Sequence, residues 1–193
     1  MMNYYLIAKF VHIVGALGMF VVLGIEWLSL RSLRQAASTT QIREWTRITS
    51  GFQRLGGISM VAILISGFYM MAVARIGAAW LIVAFGSLIL MGVSAGIVTG
   101  RRMTALQRSL QETEAISPLT GRLLHQPLLW VVLQIRVAVT LGVVFLMTAK
   151  PDLAGSLLTM GLAAILGLIS AQLSLRREQA RKESSTKETM ANV

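Results

Sequence analysis

YYLIAKFVHIVGALGMFVVLGIEWLSL, running from Tyr4 to Leu30, decides the fold class. At about 1.5 Å of rise per residue it is long enough, as a helix, to cross the roughly 30 Å hydrocarbon core of a bilayer. Within it Tyr5, His12, Met19 and Glu26 recur every seven residues. Seven residues make about two helical turns, so these side chains project from nearly one face. An imidazole and a carboxylate are costly in lipid, and the stripe is therefore expected to face the protein interior. A signal peptide is the competing reading of an apolar segment near an N-terminus. Here the apolar region is too long, a basic leading region is missing, and Glu26 precedes the basic loop, so the segment reads as a retained helix.

Four further apolar stretches follow, at Leu55 to Ala74, Ala78 to Gly100, Pro127 to Ala149 and Leu153 to Leu175. Composition agrees: 55% of the residues are hydrophobic and only 13% charged, with a mean hydropathy of +0.69, which is the profile of a multi-pass membrane chain. The expected fold is an all-α integral membrane bundle of five transmembrane helices over residues 1–175, followed by a basic, flexible tail at 176–193. The chain has no cysteine, which excludes disulfides, thiolate metal sites and thiol catalysis.

The net charge of +10 does not call for nucleic acid, because Lys and Arg gather at the ends of the apolar segments. Arg31, Arg34, Arg43, Arg47 and Arg54 flank the first loop, Arg101, Arg102, Arg108 and Arg122 the third, and Arg176, Arg177, Arg181, Lys182 and Lys187 the tail. The other side has little beyond Lys9, Arg75 and Lys150. Short loops rich in Lys and Arg stay in the cytoplasm, so the expected topology places the N-terminus outside and the C-terminus in the cytoplasm. In the first loop Ile42, Trp45, Ile48 and Phe52 recur at helix-like intervals, giving either an amphipathic helix on the membrane surface or, preferably, a helical extension leading into span two. Arg101 to Ala115 reads as span three running on into water until Ser117, Pro118 and Gly121 break it. The tail reads as a helical exit that frays.

Small residues mark where helices meet. Gly92, Gly96 and Gly100 stand four apart in span three, a spacing that lets another helix approach closely, within the bundle or between copies of the chain. Gly15 and Gly18, and Gly161, Ala164 and Gly167, are weaker versions of the same signal. A homo-oligomer or a subunit of a membrane complex, surrounded by membrane lipid, is the expected assembly.

The intramembrane polar groups carry the chemistry. Arg136 lies nine residues from Pro127, hence about 13 Å into span four, while Glu26 lies about 6 Å in from the same end of span one. An arginine side chain covers the difference in height, and an ion pair between Glu26 and Arg136 is expected, either fastening two helices or forming the charged wall of a cavity. Gln134 lies on another face of span four and is placed to bond a third helix. His12 is a packing residue, a protonatable group, or a metal or haem ligand. His125 lies at the opposite boundary, too far along the bilayer normal to share a haem iron with His12 in one chain. Among eleven methionines, Met19 stands one heptad from His12, and thioether with imidazole suits Cu(I), although methionine also fills irregular gaps in helical cores. No nucleophile elbow, phosphate loop, zinc helix or paired carboxylates occur within the spans, and no catalytic residue is assigned. Asp152, after Lys150 and Pro151, is expected to cap span five.

The stretch Lys9-Phe10-Val11-His12-Ile13-Val14-Gly15-Ala16, opening the first span ahead of a basic loop, resembles the start of several multi-pass bacterial membrane-protein families distantly similar to copper-resistance D proteins. That resemblance covers eight residues and the arrangement of short spans. It implies an inner-membrane helical bundle with an interior histidine, which here is His12. Where those sequences have a tryptophan and paired glycines after the histidine, this chain has Gly18, Met19 and Phe20. The expected function is binding or conduction of a small solute or ion between helices one and four, through Glu26 and Arg136 with His12 nearer the outside. A haem- or quinone-linked redox protein and a non-catalytic subunit of a complex are the alternatives.

Overall fold

The computed structural model describes residues 4–36, 38–75, 78–101, 104–105 and 127–191. Five helices carry them: α1 (Tyr4–Gln35), α2 (Thr39–Ala74), α3 (Ala79–Ser94), α4 (Pro127–Ala149) and α5 (Leu153–Ala191), with a π-helical turn at Ala95–Gly100 continuing α3. Each helix contains a window long and apolar enough to cross a membrane. The protein is therefore an all-helical, multi-pass integral membrane protein. The expected helix from Arg101 to Ala115, its break at Ser117, Pro118 and Gly121, and His125 lie largely or wholly outside the described residues.

The helix ends follow from local chemistry. Ser38 caps α2, its Oγ accepting from the Gln41 N–H at 3.3 Å. At the far end Arg75 turns left-handed (φ 50°) and its N–H donates to the Ala72 carbonyl. Lys150 does the same for α4 (φ 49°), donating to the Leu146 carbonyl at 2.9 Å. Pro151 cannot continue that helix, and Asp152 opens α5 by accepting the Gly155 N–H on Oδ1 at 2.8 Å, the cap expected from the sequence.

Two antiparallel hairpins, α1 with α2 and α4 with α5, have the closest packing, and α3 lies against α4 and, more lightly, α5. α4 is the most buried helix and the axis of the bundle. The hairpins close where glycine removes a side chain. A Cβ on Gly15 would stand 3.0 Å from Ile63 and 3.2 Å from the Ser59 carbonyl oxygen, and one on Gly167 would stand 2.7 Å from the Ile135 Cα. With no hydrophobic drive between helices in lipid, such contact supplies the dispersion energy that holds them. α2 and α3, although consecutive, scarcely touch. The interior polar groups lie beside that gap.

Gly96 has nothing within 4 Å of an added Cβ, and Gly92 meets only the flexible Met60 side chain. Among the described residues the stripe of Gly92, Gly96 and Gly100 seats no helix; it lines a cavity, because α3 turns this face toward the gap with α2. In the first loop, α2 is one continuous helix from Thr39, the extension rather than a surface-lying piece. Its buried face there is Ile42, Thr46 and Thr49, while Ile48 is exposed. The tail, expected to fray beyond Arg176, continues as helical backbone to Ala191. Its sequence is rich in strong helix formers, and Glu178 with Lys182, and Glu183 with Lys187, stand four apart in the favourable order.

Candidate functional site

In the heptad stripe of α1 Met19 and Glu26 are buried, His12 is half-buried and Tyr5 is exposed, and the stripe serves two separate cavities. Tyr5 and His12 line one of about 320 Å³; Met19 and Glu26 line another of about 390 Å³, closer to the basic end. His12 therefore does not join Glu26 and Arg136 in one site. About 10 Å of helical rise separates His12 from Met19, so the two do not share one metal ion either. Among the described residues no three His, Cys, Asp or Glu side chains converge on a common point.

Glu26 and Arg136 form an ion pair across α1 and α4. The Arg136 Nη1 donates to both Glu26 carboxylate oxygens, each at 2.7 Å, and both residues are buried, at 5% and 6% exposure. The difference in height along the two helices is bridged by the length of the guanidinium arm. Thr140, one turn beyond Arg136, donates its hydroxyl to the Arg136 carbonyl at 2.8 Å and lies 3.2 Å from Met91 Sδ, which ties α4 to α3 at the level of the pair.

Arg136 is not fully satisfied by this arrangement. Its Nε has no hydrogen-bond partner among the described residues, and neither has the Nε2 of Gln53, on α2. Both residues line the larger cavity, together with Glu26, Met60, Met91 and the Gly92, Gly96, Gly100 stripe. A buried donor without an acceptor costs about 1–3 kcal/mol, more when charged, so this wall favours a guest that accepts hydrogen bonds. The π-helical turn at Ala95–Gly100 lies in the opposite wall; such turns interrupt the regular backbone ladder and recur at functional sites.

Beyond the pair, toward the basic end, Trp27 and Trp130 meet with centroids 6.1 Å apart. Arg31 stacks over Trp27 at 5.7 Å and Arg34 over Trp130 at 5.3 Å. The Arg31 contact lies within α1, while the Trp27–Trp130 contact and Arg34 over Trp130 join α1 to α4 next to the ion pair.

His12 is held between α1 and α2, with Nδ1 3.1 Å from both the Ile63 carbonyl oxygen and Ser66 Oγ. Gly67 makes room for the ring, since a Cβ there would stand 3.2 Å from His12 Cε1. Lys9, Lys150, Met70, Met71, Met147 and Trp80 share its cavity. Gln134 belongs to neither site: it lines a shallow groove between α4 and α5 with Gly142, Thr159, Gly167 and Ser170.

Gln53, Ser66 and Gly67 are functional candidates that the sequence reading missed. Gln53 carried a usable signal, being the last amide before Gly56 and Gly57 at the entrance to span two. Ser66 and Gly67 carried none, because their role depends on which face of α2 meets His12.

The fold and this interior define a class: a five-helix integral membrane protein with a charged pair at a cavity in its core. No protein-family model, curated protein or solved structure matches the chain.

Proposed function

We propose that the protein binds a small, hydrogen-bond-accepting solute or anion in the cavity beside Glu26 and Arg136, and that the gap between α2 and α3 is its route. The observation that carries this reading is the buried arginine whose Nε, like the Gln53 amide nitrogen, lacks an acceptor while both residues line the cavity. At about 390 Å³ the space falls in the range of small-molecule sites, about 300–1,000 Å³. Arg136 supplies the fixed positive fork for a carboxylate or another oxoanion. Glu26 holds that fork in place and offsets its charge, so that the guest binds without permanent capture. The glycines opposite leave the wall smooth enough for the guest to pass. On this reading the protein lies in a bacterial inner membrane, its basic loops and tail in the cytoplasm, and the cavity of Arg136 opens toward that side.

The test is thermal stability of the purified chain in detergent with formate, acetate, bicarbonate, nitrate and phosphate at millimolar concentration. At least one is expected to raise the unfolding midpoint of the wild type, and none that of an Arg136→Gln protein with unchanged helical content. Equal responses in both proteins would remove Arg136 from the site.

A further inference from the structure

The smaller cavity carries a separate inference, because the bonding of His12 fixes which of its nitrogens is available. The Ile63 carbonyl oxygen, 3.1 Å from Nδ1, can only accept. Ser66 Oγ, also 3.1 Å away, directs its own proton to the Ala62 carbonyl oxygen at 2.5 Å. Nδ1 therefore carries the hydrogen, shared between these two acceptors, and in the neutral imidazole Nε2 holds a bare lone pair. Nε2 has no hydrogen bond among the described residues. This is the arrangement in which a backbone carbonyl orients an imidazole so that its second nitrogen serves an incoming group.

The surroundings restrict what that group is. Trp80, Phe85 and Leu88 give the cavity apolar and aromatic walls, while among the described residues that line it Lys9 and Lys150 are the charged ones and none is acidic. Phe85 stands next to the imidazole, its Cζ and the His12 Cε1 both within 3.4 Å of where a Gly67 Cβ would lie. A fitting guest has a flat apolar body, a hydroxyl to donate to Nε2 and a second oxygen to accept from a lysine ammonium.

We propose that this cavity binds the ring of a hydroquinone-type amphiphile, one hydroxyl on His12 Nε2 and the opposite oxygen toward Lys9 or Lys150. Only binding is assigned; the ring enters between helices from the surrounding lipid or from water. This site is independent of the one at Arg136.

The experiment is titration of the full chain in detergent, by quenching of tryptophan fluorescence, with a short-chain alkyl-1,4-hydroquinone, its dimethyl ether, a 4-alkylphenol and decanoate. The hydroquinone is expected to bind the wild type about tenfold more tightly than the ether, as the loss of one hydrogen bond implies. His12→Phe, which keeps the ring volume, should abolish that difference. The Lys9→Gln, Lys150→Gln double variant should weaken the hydroquinone and leave the phenol unchanged, whereas no loss, or equal losses for both, would overturn the place given to the second oxygen. Equal affinity of hydroquinone and ether for the wild type would overturn the proposal even if His12→Phe fails to fold. Tight decanoate binding that depends on the lysines alone, with no binding of the hydroquinone, would overturn it in favour of an anionic-lipid site.

Discussion

At the scale of single residues, Glu26 and Arg136 dominate, because a charge taken out of water is tolerated only with its partner in place. Removing one member leaves the other buried and uncompensated, at a cost of about 3–5 kcal/mol. Glu26→Gln and Arg136→Met should each lower stability by about that amount, measured by denaturant unfolding in detergent micelles. The double variant should recover most of the loss, since a neutral amide beside an apolar side chain of similar volume leaves no buried charge uncompensated. Single and double losses that simply add would show that the two side chains do not interact. The existence of this pair was legible in the sequence, because helical rise alone puts the two side chains within reach of each other. The separation of His12 from it was not: positions on one stripe share a face, but which cavity each enters depends on how α2 and α3 stand against α1.

At the scale of the helices, glycine decides the packing, and its role differs with what lies opposite. Gly167 faces the backbone of α4 at Ile135, while Gly161, on the same helix, has open space around an added Cβ. Gly167→Ala should therefore destabilise the α4 and α5 hairpin by about 1–3 kcal/mol, the cost of overpacking a close contact, and Gly161→Ala should be neutral or slightly stabilising. Thermal unfolding of the two variants side by side checks this. The spacing of Gly92, Gly96 and Gly100 marked a face without saying whether a helix or a void lies opposite, since both require small side chains. Gly96→Leu should accordingly keep the fold, filling free space, and abolish stabilisation by the small anions, a combination that an interface glycine would not give. The helices themselves were the most legible part of the sequence, because apolar length is dictated by the bilayer. Their extensions were less so: α2 is continuous through Ile42 to Phe52, and its buried face of Ile42, Thr46 and Thr49 includes two threonines whose hydroxyls donate to the carbonyls of Ile42 and Trp45. Polar residues satisfied by their own helix pack as readily as apolar ones, which a search for apolar periodicity does not detect.

At the scale of the whole molecule, the two hairpins and α3 enclose an interior that is polar at two levels, while large apolar side chains such as Phe10, Ile82 and Leu90 cover the outside. α1, α2 and α5 have 32, 36 and 39 residues, longer than the roughly 20 needed to span. They project together from the end that holds the basic loops. A fluorescent protein fused after Val193 should therefore fold and fluoresce, as it does only in the cytoplasm, if the excess of Lys and Arg orients the chain. A binding site beside Arg136 must be reached from water and occupied by an anion. The natural absence of cysteine makes this directly measurable. A single Gly96→Cys protein is reacted with a membrane-impermeant maleimide in oriented vesicles, with Leu90→Cys, on the outer surface of the same helix, as the reference. The account predicts that Cys at position 96 reacts from the cytoplasmic side, that the anion which stabilises the wild type slows the reaction, and that Cys at position 90 is inert. Inertness at position 96, or a rate indifferent to every anion, would contradict it and leave the Glu26 and Arg136 pair as a fastening between two helices.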